Sequence, residues 1–299
     1  MKKYAFFILL FLFSSSITFS QNISGVVVNE NTTNPISYTE VLSEKFGFMT
    51  GENGQFILDS SLINICDTLI FQCLGYKPQK IATSSLAEDK QNIIKLKREN
   101  FHINEVVIYG TKPRRTIKRG FYKKRDRGSF GTSGLAGGEV AIYISNKRER
   151  KGKIKNVSFF IRKQGRPTDK FRIHIYAAEN KDLPPGKDLL HESIYTHASK
   201  GDTWVTINLE KYNIDYPASG FFVSMEFLED SKAIREYNKT NYWVSGNKLN
   251  LGMNWEKQNE GYTWTYSYKR KQWTQFLPPP DKKNYYTGNA MITAEINLY

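Results

Sequence analysis

Between Asn241 and Phe276 the chain sets Trp243, Trp255, Trp264 and Trp273 among Tyr242, Tyr262, Tyr266 and Tyr268. Aromatic faces beside Asn, Gln, Lys and Arg suit a carbohydrate, because the axial C–H face of a pyranose packs on a ring while polar groups take its hydroxyls. Trp243, Trp255, Trp264, Tyr266, Tyr268 and Trp273 are therefore the candidate ligand-binding residues. WTYSYKRKQW reads as a hairpin, with Trp264, Tyr266 and Tyr268 on one face and Lys269-Arg270-Lys271 at the turn. The same rings can instead fill a sandwich core or cover a sheet edge, since large aromatics dominate β interiors. Both uses stay open at this level.

Other chemistries leave little trace. The chain has no HExxH, no GxSxG, no Gly-rich phosphate loop opening a helix and no carboxylates at calcium-loop spacing. His102, His174, His191 and His197 are scattered. A carboxylate pair for glycoside hydrolysis meets only in the fold, so Glu226 with Glu256 is no better a pair than any other. No catalytic residue, no metal ligand and no cofactor is nominated. Cys66 and Cys73 flank one predicted strand; extended, it would hold their α-carbons far beyond the roughly 7 Å a disulfide spans, so two free thiols are expected.

A second concentration of chemistry is electrostatic. Residues 111–138 shift abruptly to KPRRTIKRGFYKKRDRG and then GSFGTSGLAGG, which reads as a basic, Gly/Ser-rich linker. Arg114, Arg115, Lys118, Arg119, Lys123, Lys124 and Arg125 are the candidates for contact with an anionic glycan or lipid headgroup. A solvated, self-repelling spacer is the plainer alternative. The whole chain carries a net charge of +14, from 43 Lys and Arg against 29 Asp and Glu, and 14% aromatic with 39% hydrophobic residues suits packed domains more than a disordered polycation.

The elements that must position these residues read as strands on both sides of the basic stretch. Residues 139–299 hold VAIYIS, KIKNVSFFIRK, FRIHIYAAE, DTWVTINL, GFFVSMEFLE and AMITAEINLY, with no stretch at a helical period. Phe171, Ile173 and Ile175 should point inward and Arg172, His174 and Tyr176 outward. Val205, Ile207 and Leu209 form another inward set, and Ile292, Ala294, Ile296 and Leu298 alternate to the C-terminus. A jelly-roll-like β-sandwich is expected here. KFRIHIY, a Pro-Gly loop, TWVTINL and GFFVSMEF together look loosely like exported sandwich domains of the carbohydrate-binding or adhesin type.

Residues 21–110 also alternate. Ile23, Gly25 and Val27 share one face of ISGVVVN, Ile36, Tyr38 and Val41 are available for a core, and Gly51-Glu52-Asn53-Gly54 marks a tight turn before QFIL. The ordered set GVVVN, Asn-Pro-Ile, GENGQF, DTLIF, LGY, IIKLK and INEVVIYG over residues 23–110 closely resembles the carboxypeptidase-regulatory-like domain, a prealbumin-like β-sandwich of Gram-negative envelope proteins. The resemblance implies an N-terminal Greek-key β-sandwich and an accessory role, and it brings no catalytic residues. INEVVIYG is similar to the segment that leads, in that family, into the plug of TonB-dependent receptors, but the remaining length is too short for such a barrel.

Met1–Ser20 has the three zones of a secretory leader: Lys2 and Lys3, an apolar run from Tyr4 to Phe13, and SSSITFS before Gln21. The apolar run falls short of the about 20 residues a membrane span needs. An exported, all-β, two-sandwich protein of the periplasm, outer membrane or cell surface is expected, non-catalytic and without cofactor, with an envelope glycan or envelope protein as partner, an anionic membrane surface as a further one, and no nucleic acid. The competing functions are an envelope glycan hydrolase using carboxylates of the second domain, and an accessory protein of an outer-membrane transport or assembly system.

Overall fold

The structure, a computed structural model, describes residues 22–88, 90–99, 112–122, 126–131, 138–228, 249–256, 262–267, 271–277 and 287–299. The leader-like segment, Trp243, Tyr268, Lys123, Lys124 and Arg125 lie outside the described residues.

The first sandwich comprises β1 (Asn22–Asn29), β2 (Glu40–Leu42), β3 (Gly47–Met49), β4 (Gln55–Asp59), β5 (Thr68–Gln72), β6 (Gln79–Ala82) and β7 (Asn92–Leu96). They form sheets of order β4-β1-β7 and β3-β2-β5-β6, antiparallel except for β1 with β7. Period-two alternation sends Ile23 and Val27 of β1, Phe56 and Leu58 of β4, and Leu69 and Phe71 of β5 into one core. The Phe56 and Phe71 rings meet at 5.4 Å between centroids. Each such buried side chain stabilises by roughly 1.5–3 kcal/mol relative to exposure. Cys66 and Cys73 are free thiols, and burial pushes both thiol pKa values up.

The GENG turn works as its composition suggests. Gly54 has φ 67°, and a β-carbon there would lie 2.6 Å from the Val27 carbonyl oxygen. Gly54→Ala is therefore expected to cost about 1–3 kcal/mol, read as a lowered urea midpoint; an unchanged midpoint would mean that the turn relaxes freely.

The second sandwich runs through β8 (Arg115–Gly120), β9 (Asp126–Gly131), β10 (Glu139–Ile144), β11 (Gly152–Ile161), β12 (Phe171–Ala177), β13 (Ile194–Thr196), β14 (Thr203–Asn208), β15 (Phe221–Phe227), β16 (Asn250–Glu256), β17 (Thr263–Ser267), β18 (Gln272–Gln275), β19 (Thr287–Ala290) and β20 (Ile292–Leu298). A six-stranded sheet of order β13-β12-β15-β10-β17-β18 packs on a seven-stranded one of order β19-β16-β11-β20-β8, to which β14 and β9 add by pairing with β11 and β16. Phe171, Ile173, Ile175, Ile292, Ala294, Ile296 and Leu298 all point into the shared core, as their alternation requires. Phe159 of one sheet meets Phe171 of the other edge to face at 5.4 Å. Leu209 is fully buried, whereas Val205 and Ile207 are only half-buried on β14.

Two expectations need correction. The basic stretch is not a spacer over its described length: β8 pairs antiparallel with β20 from Arg115↔Leu298 to Gly120↔Thr293, and β9 pairs with β16. Thr116 and Ile117 supply β-branched character in the middle of RTIKRG, Ile117 packs on the core, and the surrounding cations suit an edge strand. The second concerns the outward residues of β12, which do not meet solvent: Arg172 is 1% and His174 5% exposed. Tyr38 likewise leaves the first core and packs against Tyr195 of the second sandwich at 5.3 Å.

Candidate binding face

The register of the six-stranded sheet lines up its outward side chains in rows. One row runs Tyr195, Arg172, Glu226, Glu139, Tyr266, Trp273 across β13, β12, β15, β10, β17 and β18. The next runs His174, Ser224, Ala141, Trp264, Gln275, and a third holds Tyr176, Phe222 and Tyr143. Alternation on each strand thus builds a face that is charged at its centre and aromatic toward the β17–β18 hairpin.

The charged centre is a closed network. Arg172 Nε donates to Glu226 Oε2, and Arg172 Nη2 donates to Glu40 Oε1 of the first sandwich at 2.9 Å. His174 holds Asp188 through Nδ1 at 2.7 Å and Glu226 through Nε2 at 3.0 Å, so both ring nitrogens serve as donors. Burial opposes that charge, but Glu139, Asp188 and Glu226 outweigh it and raise the His174 pKa well above its ordinary value. For Glu226 burial would raise the pKa, yet Arg172 and His174 bring it down to about 2. Glu139 accepts from Tyr176 Oη at 2.9 Å and Ser224 Oγ at 2.8 Å. It is pushed up to about 7, first by burial and then, with His174 opposing, by the Glu226 carboxylate across the strand pair. Two cations already face three carboxylates, Glu40, Glu226 and Asp188, so a fourth negative charge is disfavoured. Arg172 Nη1 is buried without a hydrogen-bond partner, a cost the ion pairs must outweigh.

The aromatic part separates the candidate residues. Trp264 is 7% exposed, packed on Phe222, Ala141 and Ala178, with Nε1 donating to the Lys181 carbonyl at 3.1 Å. It fills space and offers no stacking face. Tyr266 and Trp273 are half-buried neighbours at 5.3 Å, and Tyr176 meets Trp273 edge to face at 5.9 Å. The hairpin forms as its sequence suggests, with Trp264 and Tyr266 on one face. Trp255 lies on β16, in the opposite sheet, away from this hairpin. Of the cationic candidates, Arg115, Lys118 and Arg119 lie on β8 and Arg114 immediately precedes it; Lys118 sits over the Trp204 ring at 5.6 Å. Among the described residues no group of three or more His, Cys, Asp or Glu is arranged to hold a metal ion.

Sequence reasoning missed Arg172, His174, Asp188, Glu139 and Glu226 as a unit. The available signal was polar residues at alternate positions of otherwise apolar strands: Arg, His and Tyr in FRIHIYA, Ser and Glu in FFVSMEF. The partner of Glu226 is Glu139, not Glu256, whose strand belongs to the other sheet.

The first sandwich abuts the face where β12 begins. Besides Glu40, it contributes Ser37, whose carbonyl accepts from Tyr195 Oη at 3.1 Å, and Glu52, which pairs with Lys170; Lys271 of the β17–β18 turn donates to the Ser43 carbonyl. Residues 23–108 match the family model of the CarboxypepD_reg-like domain. The CarboxypepD_reg-like domain therefore supplies one wall of the charged network through Glu40 and is docked on the second sandwich by side chains from several strands. No curated protein matches the chain. Among solved structures, the cysteine protease and lectin-like domains of Cwp84, a surface layer associated protein of Clostridium difficile, show 11% identity with a TM-score of 0.34, over 59% of this chain and 37% of that one.

Proposed function

We propose that the protein is an exported, non-catalytic binding component of the cell envelope that holds a glycan against the outer face of its six-stranded sheet. The observation that carries this reading is the juxtaposition of the half-buried Tyr266 and Trp273 rings with Glu139 and Gln275 in adjacent rows. A pyranose packed on Trp273 and Tyr266 would place hydroxyls within reach of the carboxyl and amide groups beside them. Export rests on the leader-like Met1–Ser20 and the accessory role on the CarboxypepD_reg-like domain.

Glycan hydrolysis is the second reading, and one observation favours it: Glu139 and Glu226 face each other with pKa values of about 7 and about 2, the ordering of an acid and an ionised partner. Against it, Glu226 is fully buried and held by both Arg172 and His174, which supports a structural use of the pair.

Glycan-array binding by the full chain tests the proposal. Trp273→Ala is expected to weaken any detected binding about tenfold, ~1.4 kcal/mol, with the melting temperature nearly unchanged. Trp264→Ala is expected to do something different, lowering stability by about 3–5 kcal/mol through the cavity it leaves. Binding indifferent to Trp273→Ala and Tyr266→Ala would overturn the assignment.

A further inference from the structure

Five cations converge at the end of β10 opposite Glu139. A cleft of about 480 Å³ lies between β8 and the turn that follows β10, and its lining includes Arg115, Arg119, Lys147, Arg148 and Arg150 but no Asp or Glu. None of the five makes a salt bridge among the described residues. Glu149, in the same turn, does not line the cleft.

Both walls are built before any ligand arrives. Arg115 and Arg119 share a face of β8, whose pairing with β20 fixes their spacing, and Ile117 between them is anchored on the core. The turn is closed by Asn146, itself buried, whose Oδ1 accepts from the Arg150 N–H at 2.9 Å and whose Nδ2 donates to the carbonyls of Arg150 at 3.0 Å and Pro217 at 3.1 Å. Tyr216 Oη donates to the Ser145 carbonyl at 2.6 Å and ties the turn to the body of the sandwich. Like charges are thus held together by covalent and hydrogen-bonded framework with no internal counterion. The crowding is felt by Arg150, whose pKa is lowered by desolvation and then by Arg115, Arg148 and Arg119.

We propose that this cleft is a binding site for a phosphate-bearing ligand. Guanidinium forks engage phosphate oxygens two at a time, and a tetrahedral phosphate offers three oxygens to forks approaching from separate walls, where a carboxylate offers two in one plane. A phosphate ester or pyrophosphate also carries the charge density that offsets four arginines and a lysine in one cleft. The site is separate from the aromatic face and does not depend on what that face binds.

Isothermal titration of the full chain with inorganic pyrophosphate, at low and high salt, reads the site directly. Saturable binding that weakens with salt is expected, reduced about tenfold or more in Arg148→Gln/Arg150→Gln, and likewise in Arg115→Gln/Arg119→Gln on the other wall. Melting temperature and circular dichroism confirm that each variant is folded. Sedimentation with phosphatidylglycerol and with phosphatidylcholine vesicles separates the sources. Pyrophosphate bound without vesicles supports a soluble or glycan-borne phosphate; capture on phosphatidylglycerol vesicles, lost in the same variants, supports a lipid headgroup. Absence of binding in both arms, binding unchanged in both double variants, or equal affinity for a carboxylated trigalacturonate overturns the proposal.

Discussion

Arg172→Ala is expected to destabilise the folded chain by about 3–5 kcal/mol, the largest effect of any single substitution proposed for this protein. Arg172 is 1% exposed and bonded to Glu226, which has no exposed surface, and to Glu40 across the junction between the two sandwiches. Removing it leaves a buried carboxylate facing Glu139 and only His174 to neutralise it. The penalty is the desolvation of an unpaired charge and not the net worth of the ion pair, so the double variant Arg172→Met/Glu226→Leu should lose much less than the two single variants added together. Loss of the Glu40 contact should also loosen the docking of the CarboxypepD_reg-like domain, visible as faster amide exchange in β2 and β13. Guanidinium unfolding followed by tryptophan fluorescence measures the first effect; a shift under 1 kcal/mol would mean that Glu226 escapes burial by rearranging.

Stability is also expected to peak at mildly acidic pH and to decline as the solution becomes alkaline. The Glu139 carboxyl gives up its proton near 4.5 when the chain is unfolded and near 7 when folded. A group raised in this way contributes its full stabilisation below 4.5 and loses it as pH climbs to about 7, because the folded state then holds a proton the unfolded state has released. At about 1.4 kcal/mol per pKa step the loss is ~3 kcal/mol. His174, raised well above 6.5, extends the decline: its contribution is complete below 6.5 and disappears as pH rises through its folded value. Glu226 acts on the acid side, its stabilisation present above 4.5 and lost as pH falls toward 2. Glu139→Gln keeps a side chain that can accept from Tyr176 but cannot ionise. Its melting temperature should match the parent near pH 4.5, exceed it at pH 8, and lack the first part of the decline. Parallel pH profiles for the two proteins would show that Glu139 is not the group responsible.

How much of this was legible in the chain depended on how local the cause was. Inward alternation in FRIHIYA and AMITAEINLY, the GENG turn and the WTYSYKRKQW hairpin are set by neighbouring residues, and they stand as read. The order of motifs over residues 23–108 was equally readable. The basic stretch misled because charge density argues for solvent, whereas the edge pairing of RTIKRG with the last strand depends on a partner at the far end of the chain. The network of Glu40, Glu139, Arg172, His174, Asp188 and Glu226 was invisible for the same reason: only the strand order of the sheet and the docking of the first sandwich bring these groups together. Trp264 looked like Tyr266 and Trp273 in sequence; Phe222 and Ala178, supplied by elements outside the hairpin, are what bury it.

The central claim is that the outer face of the six-stranded sheet grips a sugar and leaves it intact. The most direct measurement is incubation of the full chain with envelope-derived oligosaccharides, with tryptophan fluorescence reporting binding and mass spectrometry reporting the sugar afterwards. A saturable fluorescence change that is lost in Trp273→Ala, with every oligosaccharide recovered at its starting mass, is the expected result; shorter sugars that vanish when Glu139 becomes Gln, or no fluorescence response at all, would contradict it.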